Sequence, residues 1–148
     1  MSKITITQII CFSTLATLSL GLAISISLLL LSFFSLGDYR GVVSLIVFII
    51  FIYLFTFAVY RLFLKACPLQ EGAIEAGTKA EFAAQVNILF YLIFFNSLIR
   101  THFLPVPLMR LIYQALGAKL GNNTYSAGCL LDPPLIEIGD NCIIGHDA

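Results

Sequence analysis

Charged side chains are scarce in this sequence: Asp, Glu, Lys and Arg make up 11% of its 148 residues, whereas a soluble domain has roughly 25%. Hydrophobic residues make up 59%, which indicates a membrane protein before any motif is considered. The eight basic residues balance eight acidic residues. The chain therefore lacks the positive field that attracts nucleic acid, and we expect no nucleic-acid partner.

Clustered cysteines are also missing. Cys11, Cys67, Cys129 and Cys142 form no CxxC pair, and a disulfide framework or a zinc site requires clustered ligands. We therefore expect no metal site, and we interpret the cysteines as small buried residues in a reducing compartment.

Two long stretches are nearly free of charge. Residues 9–36 are almost continuously apolar, and residues 42–64 form a second run whose charged residue is Arg61. Each run is long enough to cross the roughly 30 Å hydrocarbon core as a helix, and the first is too long for the core of a secretory signal. Residues 1–65 are thus predicted to form a transmembrane helical hairpin with a turn at residues 37–41.

The few charges around the hairpin predict its orientation. Lys3 precedes the first run, and Arg61 and Lys65 close the second. Because positive residues favour the cytoplasmic side, we expect both termini in the cytoplasm. The chain is then an integral membrane protein, and we expect it in a bacterial inner membrane.

The middle of the chain is predicted as two further segments. Residues 66–85 form a polar, partly helical connector at the membrane surface, and residues 86–117 hold two helices separated by Pro105 and Pro107. The first of these helices, over residues 86–99, spans only about 21 Å, which favours a re-entrant or interfacial helix over a full span. The second is amphipathic and ends at Gly117; its apolar stripe is Leu108, Leu111, Ile112 and Ala115.

Arg100 and His102 lie between these two helices, where lipid headgroups are expected. Both are candidates for contact with an anionic lipid or a substrate phosphate. The alternative is that they are ordinary side chains that reach the interface from a helix end. In either case the membrane lipid is a partner.

A repeat begins near residue 118. Leu120-Gly121 and Ile138-Gly139 are 18 residues apart, and Ile144-Gly145 follows six residues later. Three hexapeptides make one triangular turn of a parallel β-helix. Residues 118–148 are therefore predicted to start such a helix, with a corner distortion at the Asp-Pro-Pro of residues 132–134.

The sequences GAKLG at residues 117–121, DPPLIEIGDN at 132–141 and IGHDA at 144–148 resemble the hexapeptide-repeat, left-handed β-helix acyltransferases, in particular those that carry transmembrane helices before the repeat. The resemblance implies transfer of an acyl group, often acetyl, to a hydroxyl or amine. Acyl-coenzyme A, or an acyl carrier protein that bears the acyl group, is the donor and enters as a co-substrate, so no bound cofactor is expected. The resemblance also implies a homotrimer and a histidine general base, and His146 is the candidate for this base.

The membrane setting favours a lipid-linked or surface-polymer precursor as the acceptor. Because about three repeats are needed for a stable solenoid, we expect the chain to be an amino-terminal portion or a truncated member of such an enzyme. Two alternatives remain: a non-catalytic membrane assembly subunit or inactive fragment, and an accessory protein for lipid binding or transport.

Overall fold

A helical hairpin forms the first half of the protein. The computed structural model describes residues 4–34, 37–100 and 104–145. Helix α1 (Ile6–Ser32) and helix α2 (Arg40–Ala66) are joined by a 3₁₀ turn over Gly37–Tyr39 and pack along each other. The bounds of α1 and α2 agree with those of the two predicted runs to within four residues. The agreement arises because charged residues or glycine flank each run.

Small side chains form the contact between the two helices. Ser19, Ala23 and Ser27 recur every fourth residue on α1 and are buried, which lets the helix backbones approach closely. The opposite surface of the hairpin is apolar and exposed, for example at Leu28 and Ile50. An exposed apolar surface of this extent is typical of helices that contact lipid.

A third helical stretch begins at Lys79, seven residues earlier than predicted. It comprises α3 (Lys79–Phe90), a π-helical turn (Tyr91–Phe95) and α4 (Asn96–Arg100), which follow one another without a break. The early start results from a cap: the Thr78 hydroxyl accepts the Glu81 N–H at 3.3 Å, and the Glu81 carboxylate accepts the Gly77 N–H at 2.7 Å.

The stretch is therefore 22 residues long, and the predicted 14-residue helix was too short. By length and composition, three of the described helical stretches are apolar enough to cross a membrane: residues 6–32, 37–66 and 79–100. The prediction of a mostly helical amino-terminal region that is compatible with a membrane is therefore confirmed by helix length and composition.

An aromatic core joins α3 to one end of the hairpin. The Phe12 and Phe90 ring centroids are 5.1 Å apart, and the Phe57 and Phe95 rings stack at 5.0 Å. Phe12 lies roughly 30 Å along α1 from the end of that helix. The core, and everything packed on it, therefore lies at the end of the hairpin remote from the turn at Gly37–Tyr39.

Helix α5 (Val106–Leu116) packs one face against the core. Its buried residues are Met109, Tyr113 and Leu116, whereas Leu108 and Leu111 of the predicted stripe are 40% and 59% exposed. Ile112 of the predicted stripe packs against the core beside these residues. Gly117, at a φ of +115°, ends the helix as predicted.

Residues 118–145, which we call the coil segment, hold four two-residue strands. They are β1 (Lys119–Leu120), β2 (Tyr125–Ser126), β3 (Glu137–Ile138) and β4 (Ile143–Ile144). β1 pairs with β3 and β2 with β4, both in parallel, and the register places Leu120 opposite Ile138. A 3₁₀ turn over Pro133–Leu135 forms the predicted distortion at the Asp-Pro-Pro corner.

Candidate functional site

The coil segment is fastened to α5 through one buried tyrosine. The Tyr113 hydroxyl donates to the Gly128 carbonyl at 2.8 Å and accepts the Leu130 N–H at 3.2 Å. Burial raises the pKa of Tyr113 to about 12, with a smaller opposing effect from the Leu130 hydrogen bond. The hydroxyl is thus protonated at neutral pH, as its donor role requires.

This geometry predicts that the coil segment loosens at alkaline pH. An unfolded Tyr titrates near pH 10, so between pH 10 and about 12 the unfolded state releases its proton before the folded state does. Stability from Tyr113 is complete below pH 10 and is lost as the pH rises toward 12. Amide hydrogen exchange over residues 118–145, corrected for the intrinsic pH dependence, should accelerate in that range.

Tyr113→Phe provides the control for this prediction. It removes the titrating hydroxyl and leaves the Gly128 carbonyl and the Leu130 N–H without that partner, at a cost of about 1–3 kcal/mol. Exchange in the variant should be faster at pH 7 and should lose the additional acceleration above pH 10. An unchanged alkaline profile would assign the loosening to another group.

One corner of the coil segment is repeated at an offset of 18 residues. Asn123 and Asn141 both adopt positive φ, at 58° and 56°, and the Asn123 amide donates to the Asn141 side-chain oxygen at 3.3 Å. The Asn141 N–H bonds the Asn122 carbonyl at 2.8 Å. Asparagine tolerates this left-handed conformation better than most residues, so equivalent asparagines turn the chain at equivalent points.

A series of hydrogen bonds between polar side chains connects the coil segment to α2 and α3. The Tyr60 hydroxyl of α2 donates to Asn87 Oδ1 at 2.6 Å, and Asn87 Nδ2 donates to Asp132 Oδ1 at 3.1 Å. Tyr60 is 1% and Asn87 3% exposed. Because each buried group has a partner, these hydrogen bonds fix the Asp132 carboxylate relative to α2 and α3.

Asp132 is exposed and opens onto a cleft of about 480 Å³ between the coil segment and the third helical stretch. The polar residues lining the cleft are Tyr91, Asn96, Arg100 and Asp132, and its apolar residues are Ile88, Leu92 and Leu131. The cleft thus combines one guanidinium, one carboxylate, one amide and one phenol beside apolar side chains.

The first two residues of the π-helical turn, Tyr91 and Leu92, line this cleft. Such turns insert one residue into a helix and often occur at functional sites. Here the turn begins at Tyr91, whose hydroxyl oxygen is buried and has no hydrogen-bond partner among the described residues. Buried hydroxyls are usually hydrogen-bonded, so this one is an exception beside the cleft.

The predicted site residues have different outcomes. Arg100 lies in the cleft, whereas His102 and His146 lie outside the described residues. Sequence analysis missed Asn96 and Asp132, although Asn87 and Asn96 stand out as amides in an apolar run and polar residues in such runs often mark functional sites.

Within residues 4–34, 37–100 and 104–145, no three His, Cys, Asp or Glu side chains are grouped to hold a metal ion. Comparison with known proteins found no matching family model, no similar curated protein and no similar solved structure. The site must therefore be interpreted from its own geometry.

Proposed function

We propose that this chain is a membrane-associated acyltransferase, or part of one, that transfers an acyl group from coenzyme A to a hydroxyl or amine. The acceptor is a lipid-linked or surface-polymer precursor. The proposal is carried by the parallel pairing of Leu120 with Ile138 and of Ser126 with Ile144. An 18-residue offset on two faces is the repeat of a triangular coil built from hexapeptides.

The repeated corner supports the same interpretation. Besides the paired asparagines, Thr124 Oγ1 donates to the Gly139 carbonyl and accepts the Cys142 N–H at 3.2 Å. Thr124 is buried, in keeping with the inward orientation expected of the fifth hexapeptide position. The resemblance noted in the sequence supplies the reaction class, with His146 as the general base and a homotrimer as the assembly.

Membrane topology is part of the proposal. The coil segment lies at the hairpin end that carries Arg61, whose Nη1 atom is 3.2 Å from the place of a Cβ on Gly117. Positive residues at this end favour the cytoplasm, where acyl-coenzyme A is found. The third helical stretch bonds Asp132 through Asn87 near its middle and lines the same cleft with Arg100 at its end. We therefore place it at the membrane interface, with both termini cytoplasmic.

Transfer of labelled acetyl groups tests the function. The full 148-residue chain, purified and placed in nanodiscs of bacterial lipid extract, is incubated with acetyl-coenzyme A labelled in the acetyl group. We expect free coenzyme A to form and the label to enter the organic-soluble lipid fraction, above the level in protein-free nanodiscs. Absence of thioester cleavage with acetyl and longer acyl donors would overturn the proposal for this chain.

A further inference from the structure

The cleft between the coil segment and the third helical stretch contains charges of both signs. Arg100 and Asp132 both line it and both are exposed. Asp132 is fixed by the hydrogen bond from Asn87, and its φ of +50° orients the residue away from the regular strand path. A ligand that contacts both residues favourably carries an anionic group for Arg100 and a cationic hydrogen-bond donor for Asp132.

The rest of the cleft favours an amphiphilic ligand. Leu92 and Leu131 are 57% and 60% exposed, and Ile93, beside Leu92 on the same helical stretch, is 56% exposed. This stretch is apolar enough to lie in a membrane. Acyl chains over these side chains would remove them from water, while the polar headgroup remains beside Arg100 and Asp132.

We propose that this cleft binds a phospholipid whose headgroup is a phosphodiester followed by a primary ammonium, as in phosphatidylethanolamine. Arg100 contacts the phosphate, since its guanidinium matches phosphate oxygens in geometry and charge. Asp132 accepts from the ammonium. The Asn96 amide is a further donor for the phosphate oxygens. The binding requires no acyl transfer, so it stands independently of the proposed reaction.

Phosphatidylcholine provides a sharp comparison, because it has the same phosphodiester but a quaternary ammonium without N–H donors. Native mass spectrometry of the full chain, titrated in detergent with dihexanoyl forms of the two lipids, gives both dissociation constants. We expect phosphatidylethanolamine to bind at least about fivefold more tightly. Phosphoethanolamine, which lacks acyl chains, should bind much more weakly.

Two substitutions separate the contributions of the charges. Arg100→Gln should weaken the binding of both lipids by about fivefold or more. Asp132→Asn should remove the preference for phosphatidylethanolamine and leave phosphatidylcholine binding unchanged. This substitution keeps an acceptor oxygen for Asn87 and is tolerated at positive φ, so folding should be preserved. Arg40→Gln, at the remote end of the hairpin, is the matched control and should change neither constant.

Equal affinity of the wild-type chain for the two lipids would overturn the proposal. So would a preference that persists in Asp132→Asn, or binding of phosphoethanolamine as tight as that of the lipid. Far-UV circular dichroism of each variant verifies that the helices are intact. Because no acyl-coenzyme A is present, failure here would leave the proposed transferase reaction unaffected.

Discussion

Gly121→Ala is expected to open the coil segment, with a loss of about 3 kcal/mol in local stability. A Cβ at this position would be 2.6 Å from the Gly139 carbonyl carbon and 2.7 Å from the Asp140 nitrogen, and would also contact Asp140 Oδ1. Two of these atoms belong to the backbone, so no side-chain rotation relieves the overlap. The two layers of the coil must separate, and the hydrogen bond from the Gly121 N–H to Ile138 at 2.9 Å would be strained.

Gly139→Ala is the matched control, since a Cβ there meets no atom within 4 Å. The two glycines are 18 residues apart and each directly follows a paired strand residue, Leu120 or Ile138, and both substitutions add one methyl group. Hydrogen exchange of the amides in residues 118–145 should be about 100-fold faster in Gly121→Ala, the rate equivalent of about 3 kcal/mol. It should be nearly unchanged in Gly139→Ala. Equal behaviour of the two variants would contradict the observed stacking.

His146→Ala is expected to reduce acyl transfer by about 100-fold or more, provided that His146 is the general base. Such a base removes the proton of the attacking hydroxyl or amine and contributes roughly 10²–10⁴ to the rate. A histidine imidazole is the side chain most often used for this role near neutral pH. The measurement is the rate of coenzyme A release at saturating acyl-coenzyme A.

His102→Ala is the matched control, because these are the two histidines of the sequence. With His102 as a substrate or lipid contact, its removal should raise KM for the acceptor and leave kcat within about twofold. Equal rates for the wild-type chain and His146→Ala would exclude His146 from the mechanism. An unaltered KM in His102→Ala would exclude its role in acceptor binding.

The hairpin and the coil register were predictable from sequence because both depend on local patterns. Uncharged runs ended by charge or glycine determine α1 and α2, and the spacing from Leu120 to Ile138 matches their pairing. The start of α3 was also encoded, since Thr78 and Glu81 have the spacing of a helix cap. The prediction missed it because the flanking polar composition suggested a connector.

The cleft was only partly predictable. Arg100 was identified from its position at a helix end, but its neighbour Asp132 is 32 residues later in the sequence. The hydrogen bond from Asn87 depends on tertiary packing that has no local signature. The π-helical turn at Tyr91–Phe95 likewise comes from a run of apolar residues whose sequence fits a regular α-helix equally well.

Helix α5 holds the beginning of the coil segment in place. Arg110 donates to the Gly121 carbonyl at 2.9 Å and Gln114 to the Leu120 carbonyl at 3.4 Å. The bonded residues are 11 and 6 positions apart in the sequence, whereas the residues that pair between β1 and β3 are 18 positions apart. Because a short loop costs less chain entropy to close than a long one, β1 is joined to α5 at a lower entropic cost than to β3.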